Sequence, residues 1–347
     1  MIYRRLGNSG IKVSVLSFGN WINCTDGFDE EFSKMVKVAF DNGINFFDTA
    51  ECYERGQAER QMGKALKNLN VNRNDYVLST KIYWGDFKDD KLPVNQLGTS
   101  RKHLIEGMKR ALKNLEHDYV DIVFCHRYDI DTTTEEVVLG MKYILDQGMA
   151  LYWATSEWPA SRVVEAMFLC EKYGVPKPIA EQCQYSLLYR HKMEDSYLHL
   201  FNDYKYGTTV WSPLASGLLT NKHKAGMVKD SRLGDKNLAD LIFKLLGPNT
   251  TVEELLQRVD NLSKIAERLG MSCTVLALAW VIKYKNVSTC LLGASRVSQL
   301  EENLKAVAAM DKLTPEVLSE IEDVIKTKLP AETDWKTFKP LPAPRDV

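Results

Sequence analysis

No run of about 18 apolar residues occurs anywhere in the sequence, so it offers no transmembrane helix. The first residues, Met1-Ile2-Tyr3-Arg4-Arg5-Leu6-Gly7, have neither the apolar stretch nor the small-residue cleavage site of a secretory leader. A soluble, cytoplasmic protein without direct membrane insertion is therefore expected. An excess of one charge is missing too. Lys plus Arg number 45 and Asp plus Glu 46, a formal net charge of −1, which provides no field to draw in nucleic acid or an anionic membrane. The cysteines (Cys24, Cys52, Cys125, Cys170, Cys183, Cys273, Cys290) contain no C-x-x-C pair. Their odd number and wide spacing fit reduced core thiols, with no metal site. Finally, no G-x-G-x-x-G follows a strand-like run, which argues against a Rossmann-type dinucleotide site.

What is present is a rhythm. Short apolar or β-branched runs recur at Val15–Gly19, Asn45–Asp48, Tyr76–Lys81, Tyr119–Phe124, Ala150–Ala154, Ile179–Gln182, Thr208–Trp211 and Ser288–Gly293. Helical periodicity lies between them, as in His103–Leu115, where Leu104, Met108, Ala111, Leu112 and Leu115 fall on one face. Further helical stretches run near Glu30–Asn42, Thr134–Gln147, Ser161–Tyr173, Glu194–Tyr204, Thr274–Tyr284 and Ser298–Met310. Strands alternating with helices pair in parallel through right-handed crossovers, and eight repeats favour a closed (β/α)8 TIM barrel over an open sheet. Two β-like runs around Asn8-Ser9-Gly10 form an N-terminal β-hairpin that could close the barrel's bottom. A long insertion after strand 7, from about Ser212 to Asp260, has no strand pattern and reads as an irregular lid over the active-site face. One barrel is expected over 1–328, followed by a Pro-rich tail over 329–347.

In such a barrel, reaction groups sit at the C-terminal ends of the strands. Strand 2 ends in Asp48-Thr49-Ala50 with Tyr53 just beyond, strand 3 in Lys81 and strand 4 in Cys125-His126. Lys81 could lower the pKa of Tyr53, Asp48 would hold the ammonium, and His126 could hydrogen-bond a carbonyl oxygen. A tyrosine acid with Lys, Asp and His, and no nucleophile elbow, suits carbonyl reduction, for which a cofactor must bring the hydride. That cofactor would lie across the barrel mouth. Trp211 could stack on a nicotinamide, and Ser212-Pro213-Leu214-Ala215-Ser216-Gly217 offers backbone N–H groups to a pyrophosphate. Gly293-Ala294-Ser295-Arg296 opens a helix that attracts phosphate, and Arg296 could pair with the 2′-phosphate that separates NADP from NAD. Taken singly, Trp211 could equally be packing, and Ser295 a helix cap. Trp21, Tyr83, Trp84 and Trp158 follow strand ends and together would make an aromatic pocket for medium-sized apolar aldehydes and ketones.

Asp48-Thr49-Ala50-x-x-Tyr53, Lys81-Ile82-Tyr83-Trp84, Trp211-Ser212-Pro213-Leu214 and Leu292-Gly293-Ala294-Ser295 together resemble the aldo-keto reductases, in the branch that contains the beta subunits of voltage-gated potassium channels. The likeness runs from about Tyr3 to Lys326. It implies an NADPH-dependent carbonyl reductase with Asp48, Tyr53, Lys81 and His126 as catalytic residues and Trp21, Tyr53, Trp84 and His126 around the substrate. It also implies Trp21, Asp48, Ser156, Gln182 and Trp211 near the nicotinamide, and Ser212, Pro213, Leu214, Ser216, Gly217, Lys222 and Arg232 along the phosphates. Gly293, Ser295, Arg296, Gln299, Glu302 and Asn303 would surround the adenosine 2′-phosphate and adenine.

Two departures stand out. The channel subunits usually carry Asn where this sequence has His126, a residue of the more catalytic reductases. Glu157 stands where Asn or Arg is common, and an ionised acid there can only accept hydrogen bonds, which puts its contact with the cofactor in question. The resemblance permits a monomer or a homotetramer, and it leaves open a second role: an NADPH-sensing subunit with slow turnover that docks on a channel. A barrel lyase or isomerase would need metal ligands or a Schiff-base lysine without this tyrosine.

Overall fold

The computed structural model describes residues 1–21, 28–85, 93–223, 251–327 and 329. Eight parallel strands close a barrel: β3 (Leu16–Gly19), β4 (Phe46–Asp48), β5 (Val77–Ile82), β6 (Val120–Cys125), β7 (Ala150–Ser156), β8 (Ala180–Gln184), β9 (Gly207–Trp211) and β10 (Thr289–Leu292), with β10 pairing back onto β3. These are the eight runs expected from the sequence, and the (β/α)8 barrel is the observed fold. Cross-strand register sets the site: Gly19 is opposite Asp48, Asp48 opposite Ser79, Lys81 opposite Phe124, Ser156 opposite Gln182 and Gln184 opposite Trp211.

The bottom is closed by the antiparallel hairpin β1 (Tyr3–Arg5) and β2 (Lys12–Ser14). Leu6 and Val13 from it pack with Phe46, Val77, Ile122 and Ala180 inside the barrel. The left-handed residue of its turn is Gly7 (φ +60°), upstream of the expected Asn8-Ser9-Gly10. A Cβ on Gly7 would lie 2.3 Å from the Ile179 carbonyl oxygen and 2.5 Å from the Gly207 nitrogen, so only glycine lets the turn seat against β9.

Around the barrel lie α1 (Asp29–Asp41), α2 (Gln57–Asn68), α3 (Arg101–Leu115), α4 (Thr134–Asp146), α5 (Ala160–Tyr173), α6 (Leu198–Tyr204), α7 (Val252–Arg268), α8 (Cys273–Lys283), α9 (Val297–Leu304), α10 (Ala306–Ala309) and α11 (Pro315–Ile325). Helix α3 begins where the Ser100 hydroxyl accepts from His103 N–H, and it buries Leu104, Met108, Ala111 and Leu115 against the sheet. Two expected helices are broken. Glu194–Tyr204 divides into a π-turn at Lys192–Ser196 and α6, and Ser298–Met310 divides at Lys305 into α9 and α10. The last residues of the expected irregular insertion belong to α7, and its residues 224–250 lie outside the described residues. Thr251 and Glu254 form a reciprocal capping box at the start of that helix. Among the described residues no single helix is long and apolar enough to cross a membrane. Helices α7 and α8 would pass only as a pair, and they meet at 89°. The expected tail lies outside the described residues apart from position 329.

Candidate active site

The C-terminal ends of β4, β5 and β6 bring four polar side chains together. Lys81 is fully buried in β5, because its Nζ finds acceptors inside the barrel: Asp48 Oδ2 at 2.5 Å and the Thr49 carbonyl at 2.7 Å. The other oxygen of Asp48 accepts from Ser79 Oγ at 2.6 Å and Gln182 Nε2 at 3.3 Å. The carboxylate is thus satisfied on both sides, as a buried ion must be.

Just past β4 the chain enters a short turn, Tyr53–Gly56, with Glu54 and Arg55 in left-handed conformation. The turn lays the half-buried Tyr53 ring over Lys81, Nζ 4.8 Å from its centroid. The His126 ring meets Tyr53 edge-on at 5.7 Å, and Trp84 meets His126 edge-on at 4.6 Å. Trp21, half exposed, stands 6.4 Å from Tyr53. These contacts assemble Asp48, Tyr53, Lys81, His126, Trp84 and Trp21 in one sector of the mouth.

The electrostatics differ from one expectation. Lys81 was to lower the Tyr53 pKa, yet burial, with the Asp48 charge second, holds the phenol well above its ordinary value. Lys81 is so fully engaged by Asp48 and Thr49 that its charge does not dominate at the phenol. Burial also lowers Lys81 itself, against the raising effect of Asp48. His126 lies well below the usual imidazole range through burial and the nearby Lys81 and Arg127 cations, so its ring is neutral at pH 7 and can donate only one hydrogen bond.

On the opposite wall Ser156 and Gln182 are buried at paired strand ends, Ser156 Oγ donating to the Gln182 carbonyl at 2.9 Å. Trp211 closes β9, its indole N–H donating to Glu157 Oε1 at 3.0 Å. Glu157 also accepts from the Gln184 N–H at 2.7 Å and pairs with Lys192. Its carboxylate thereby knits β8, β9 and the π-turn together. After Trp211 come Ser212, then Pro213 and Leu214, then Ala215, Ser216 and Gly217. Ser212, Ala215, Ser216 and Gly217 all have positive φ, and the Lys222 ammonium stands against Gly217, 3.0 Å from where a Cβ would sit. Three non-glycine residues held left-handed in one loop are a local strain of the kind found at ligand sites. Arg232 lies outside the described residues.

At the end of β10, Gly293 faces open space, and Ser295 binds Gln299 Oε1 through both N–H (2.8 Å) and Oγ (3.0 Å). Arg296 is exposed one residue before α9, and Asn303 is buried. The Val297 N–H is already capped by Glu31 Oε1 at 3.1 Å, and Glu302 is engaged with Ser272 and Lys305.

Several pieces were not visible in the sequence. Trp158 is fully buried and packs edge-on against Tyr128 at 5.3 Å, so it lines no pocket. Cys52 is not a core thiol but sits half-buried at the mouth, Sγ 4.0 Å from His126 Nδ1. Behind the site the fully buried Glu51 accepts from the Tyr83 and Gly85 N–H groups at 2.7 and 2.9 Å and from Arg110 at 2.8 Å, which anchors the loop bearing Trp84. Arg127, next to His126, also reaches into the mouth. Glu51, Cys52 and Arg127 are each one ordinary residue in a strand-end run, and nothing in their spacing singles them out.

A family model described as the aldo/keto reductase family matches residues 16–326. A relative from Arabidopsis thaliana named probable voltage-gated potassium channel subunit beta is 44% identical over 330 residues, covering 94% of this chain and 98% of its own. One of the same name from Oryza sativa subsp. japonica is 42% identical, with the same coverage. A third, from Schizosaccharomyces pombe and also named for a voltage-gated potassium channel beta subunit, is 44% identical over 325 residues, covering 93% of each chain.

Proposed function

The chain belongs to the aldo/keto reductase family, and on that premise we propose that it is an NADPH-dependent reductase that converts aldehydes and ketones to alcohols. The observation that carries this reading is the convergence of Tyr53, His126 and the Lys81–Asp48 pair on one point of the barrel mouth. The residues present fit the cofactor. The left-handed Ala215-Ser216-Gly217 turn beside Lys222 makes a cradle for phosphate, and Ser156 and Gln182 offer buried polar groups beside Trp211 for a nicotinamide amide. Asp48 and Trp21 would border that ring, and Gly293, Ser295, Arg296, Gln299 and Asn303 would hold the adenosine end. The capped α9 start leaves the 2′-phosphate to Ser295 and Arg296, and Glu302 would have to leave Ser272 to join them. When bound, NADPH supplies the hydride.

The protein's residues do the rest. His126, neutral and buried, donates one hydrogen bond to the substrate oxygen and orients the carbonyl. Tyr53, kept protonated by its raised pKa, is the proton donor, and an alkoxide is basic enough to take the phenol proton readily. Lys81, under the ring, stabilises the phenolate left behind, and Asp48 keeps the ammonium in place. Trp84 and Trp21 exclude water. The test is single-turnover loss of NADPH absorbance with an aldehyde panel. Tyr53→Phe should lower turnover by about a hundredfold to ten-thousandfold with cofactor binding nearly intact, and unchanged turnover would sink the assignment.

The relatives' names favour a second reading, in which the same NADPH site makes the chain a cytoplasmic sensor that turns over slowly, as a homotetramer or on a channel partner. Tight NADPH binding without repeated turnover, with His126→Asn no slower than the parent, would select it.

A further inference from the structure

Arg127 follows His126 at the end of β6 and enters the mouth between Trp84 and Ser156. Its guanidinium carbon is 4.9 Å from the Trp84 ring centroid, and the same ring touches His126. Nη1 donates to the His126 carbonyl at 2.5 Å and to Ser156 Oγ at 3.3 Å. That fixes one corner of the fork and leaves Nε and Nη2 without a partner among the described residues.

Among the described residues the acids nearby are committed elsewhere. Asp48 holds Lys81, Glu157 holds Lys192, and Glu51 holds Arg110. Asp129, two residues on, accepts from the Thr99 and Asp131 N–H groups and the Thr132 hydroxyl. Among the described residues Arg127 is therefore a cation of the substrate sector with no carboxylate partner. Its charge is felt at Tyr53, Lys81 and His126 together, so its field covers the place where a carbonyl would sit.

Building on the reductase reading, we propose that Arg127 is the anion-recognising group of the substrate pocket, and that the preferred substrates are carbonyl compounds carrying a carboxylate. A guanidinium presents a planar fork that matches a carboxylate in two parallel hydrogen bonds, and stacking on Trp84 holds that fork in orientation. A neutral substrate closing over Arg127 would strip water from the guanidinium without replacing it, so the site discriminates against neutral analogues as well as for anions.

The experiment compares 4-carboxybenzaldehyde with its methyl ester as substrates of the full chain with NADPH. In the parent, kcat/KM for the acid should exceed that for the ester by about tenfold to a hundredfold, chiefly through KM. In Arg127→Met the ratio should fall to near one, and Arg127→Lys, which keeps the charge without the fork, should retain part of it. Equal kcat/KM for acid and ester in the parent, or an unchanged ratio in Arg127→Met, would overturn the proposal. Terephthalate binding to the NADP-loaded protein by calorimetry reads the anion site without turnover and should weaken at least about tenfold in Arg127→Met. Absent NADPH oxidation with both aldehydes would fell the reductase reading alone, and unchanged terephthalate binding would fell the anion site alone.

Discussion

Replacing Lys81 by Met tests the centre of the site through stability rather than rate. The ammonium is 0% and the Asp48 side chain 6% exposed, and they meet at 2.5 Å. Removing one member of such a pair leaves the other charge buried, at a cost of about 3–5 kcal/mol. Unfolding entropy is roughly 2.1 cal/mol/K per residue, so over 347 residues about 0.7 kcal/mol of destabilisation lowers Tm by roughly one degree. Lys81→Met should therefore lower Tm by about 4–7 °C at pH 7. Asp48 keeps Ser79 and Gln182 as donors, which favours the low end of that range. Adding Asp48→Asn removes the orphaned charge, so the double variant should be more stable than the sum of the two single losses by about 2–3 kcal/mol. Thermal melts of the four proteins by circular dichroism decide it. Additivity within about 0.5 kcal/mol would refute the picture of a mutually dependent buried pair.

Glu181 is fully buried, and burial pushes its carboxyl up from the ordinary glutamate value of 4.5 to about 8. Its carboxyl favours folding while protonated and loses that contribution as pH rises from about 4.5 through about 8. Glu181→Gln should gain Tm relative to the parent across that window, and a pH-independent difference would contradict it. Glu157→Ala frees the Trp211 indole N–H and the Gln184 N–H. NADPH should then bind more weakly, by about tenfold, with a changed tryptophan emission, whereas parental affinity would show that Glu157 does not position Trp211. At Gly63 in α2 a Cβ would stand 2.0 Å from the Leu115 carbonyl oxygen. Gly63→Ala should therefore cost at least about 1–3 kcal/mol, and a melt equal to the parent's would disprove the close crossing of α2 and α3.

Alternation and periodicity were enough for the barrel, because each strand and most helices carry their own pattern: apolar or β-branched runs ending in Asp48, Lys81 and Trp211, and the Leu104–Leu115 stripe of α3. Helix α2 escaped notice because the polar Glu59 and Gln61 and the small Gly63 share its buried face with Ala58, Met62, Ala65 and Leu66, which blurs the apolar stripe. Helices α7 and α11 did carry legible signals, in the Thr251-x-x-Glu254 box and in Thr314 followed by Pro315 at the first helical position. The approximate companionship of Asp48, Tyr53, Lys81 and His126 could be read from strand ends alone, since adjacent parallel strands put their C-termini side by side.

What each group does in that company was decided only by tertiary structure. Burial and the Asp48 charge, not Lys81, set the Tyr53 phenol, because a pKa responds to everything within a few ångströms and not to chain order. The same holds for Glu157, whose carboxylate faces Trp211 and Lys192, and for Trp158, which packs inside rather than lining the mouth. Arg127 is an unremarked neighbour of His126 in the chain. In space it is a cation whose neighbouring acids among the described residues serve other partners, since the partners of Asp48, Glu51 and Glu157 come from distant segments that only the closed barrel brings together.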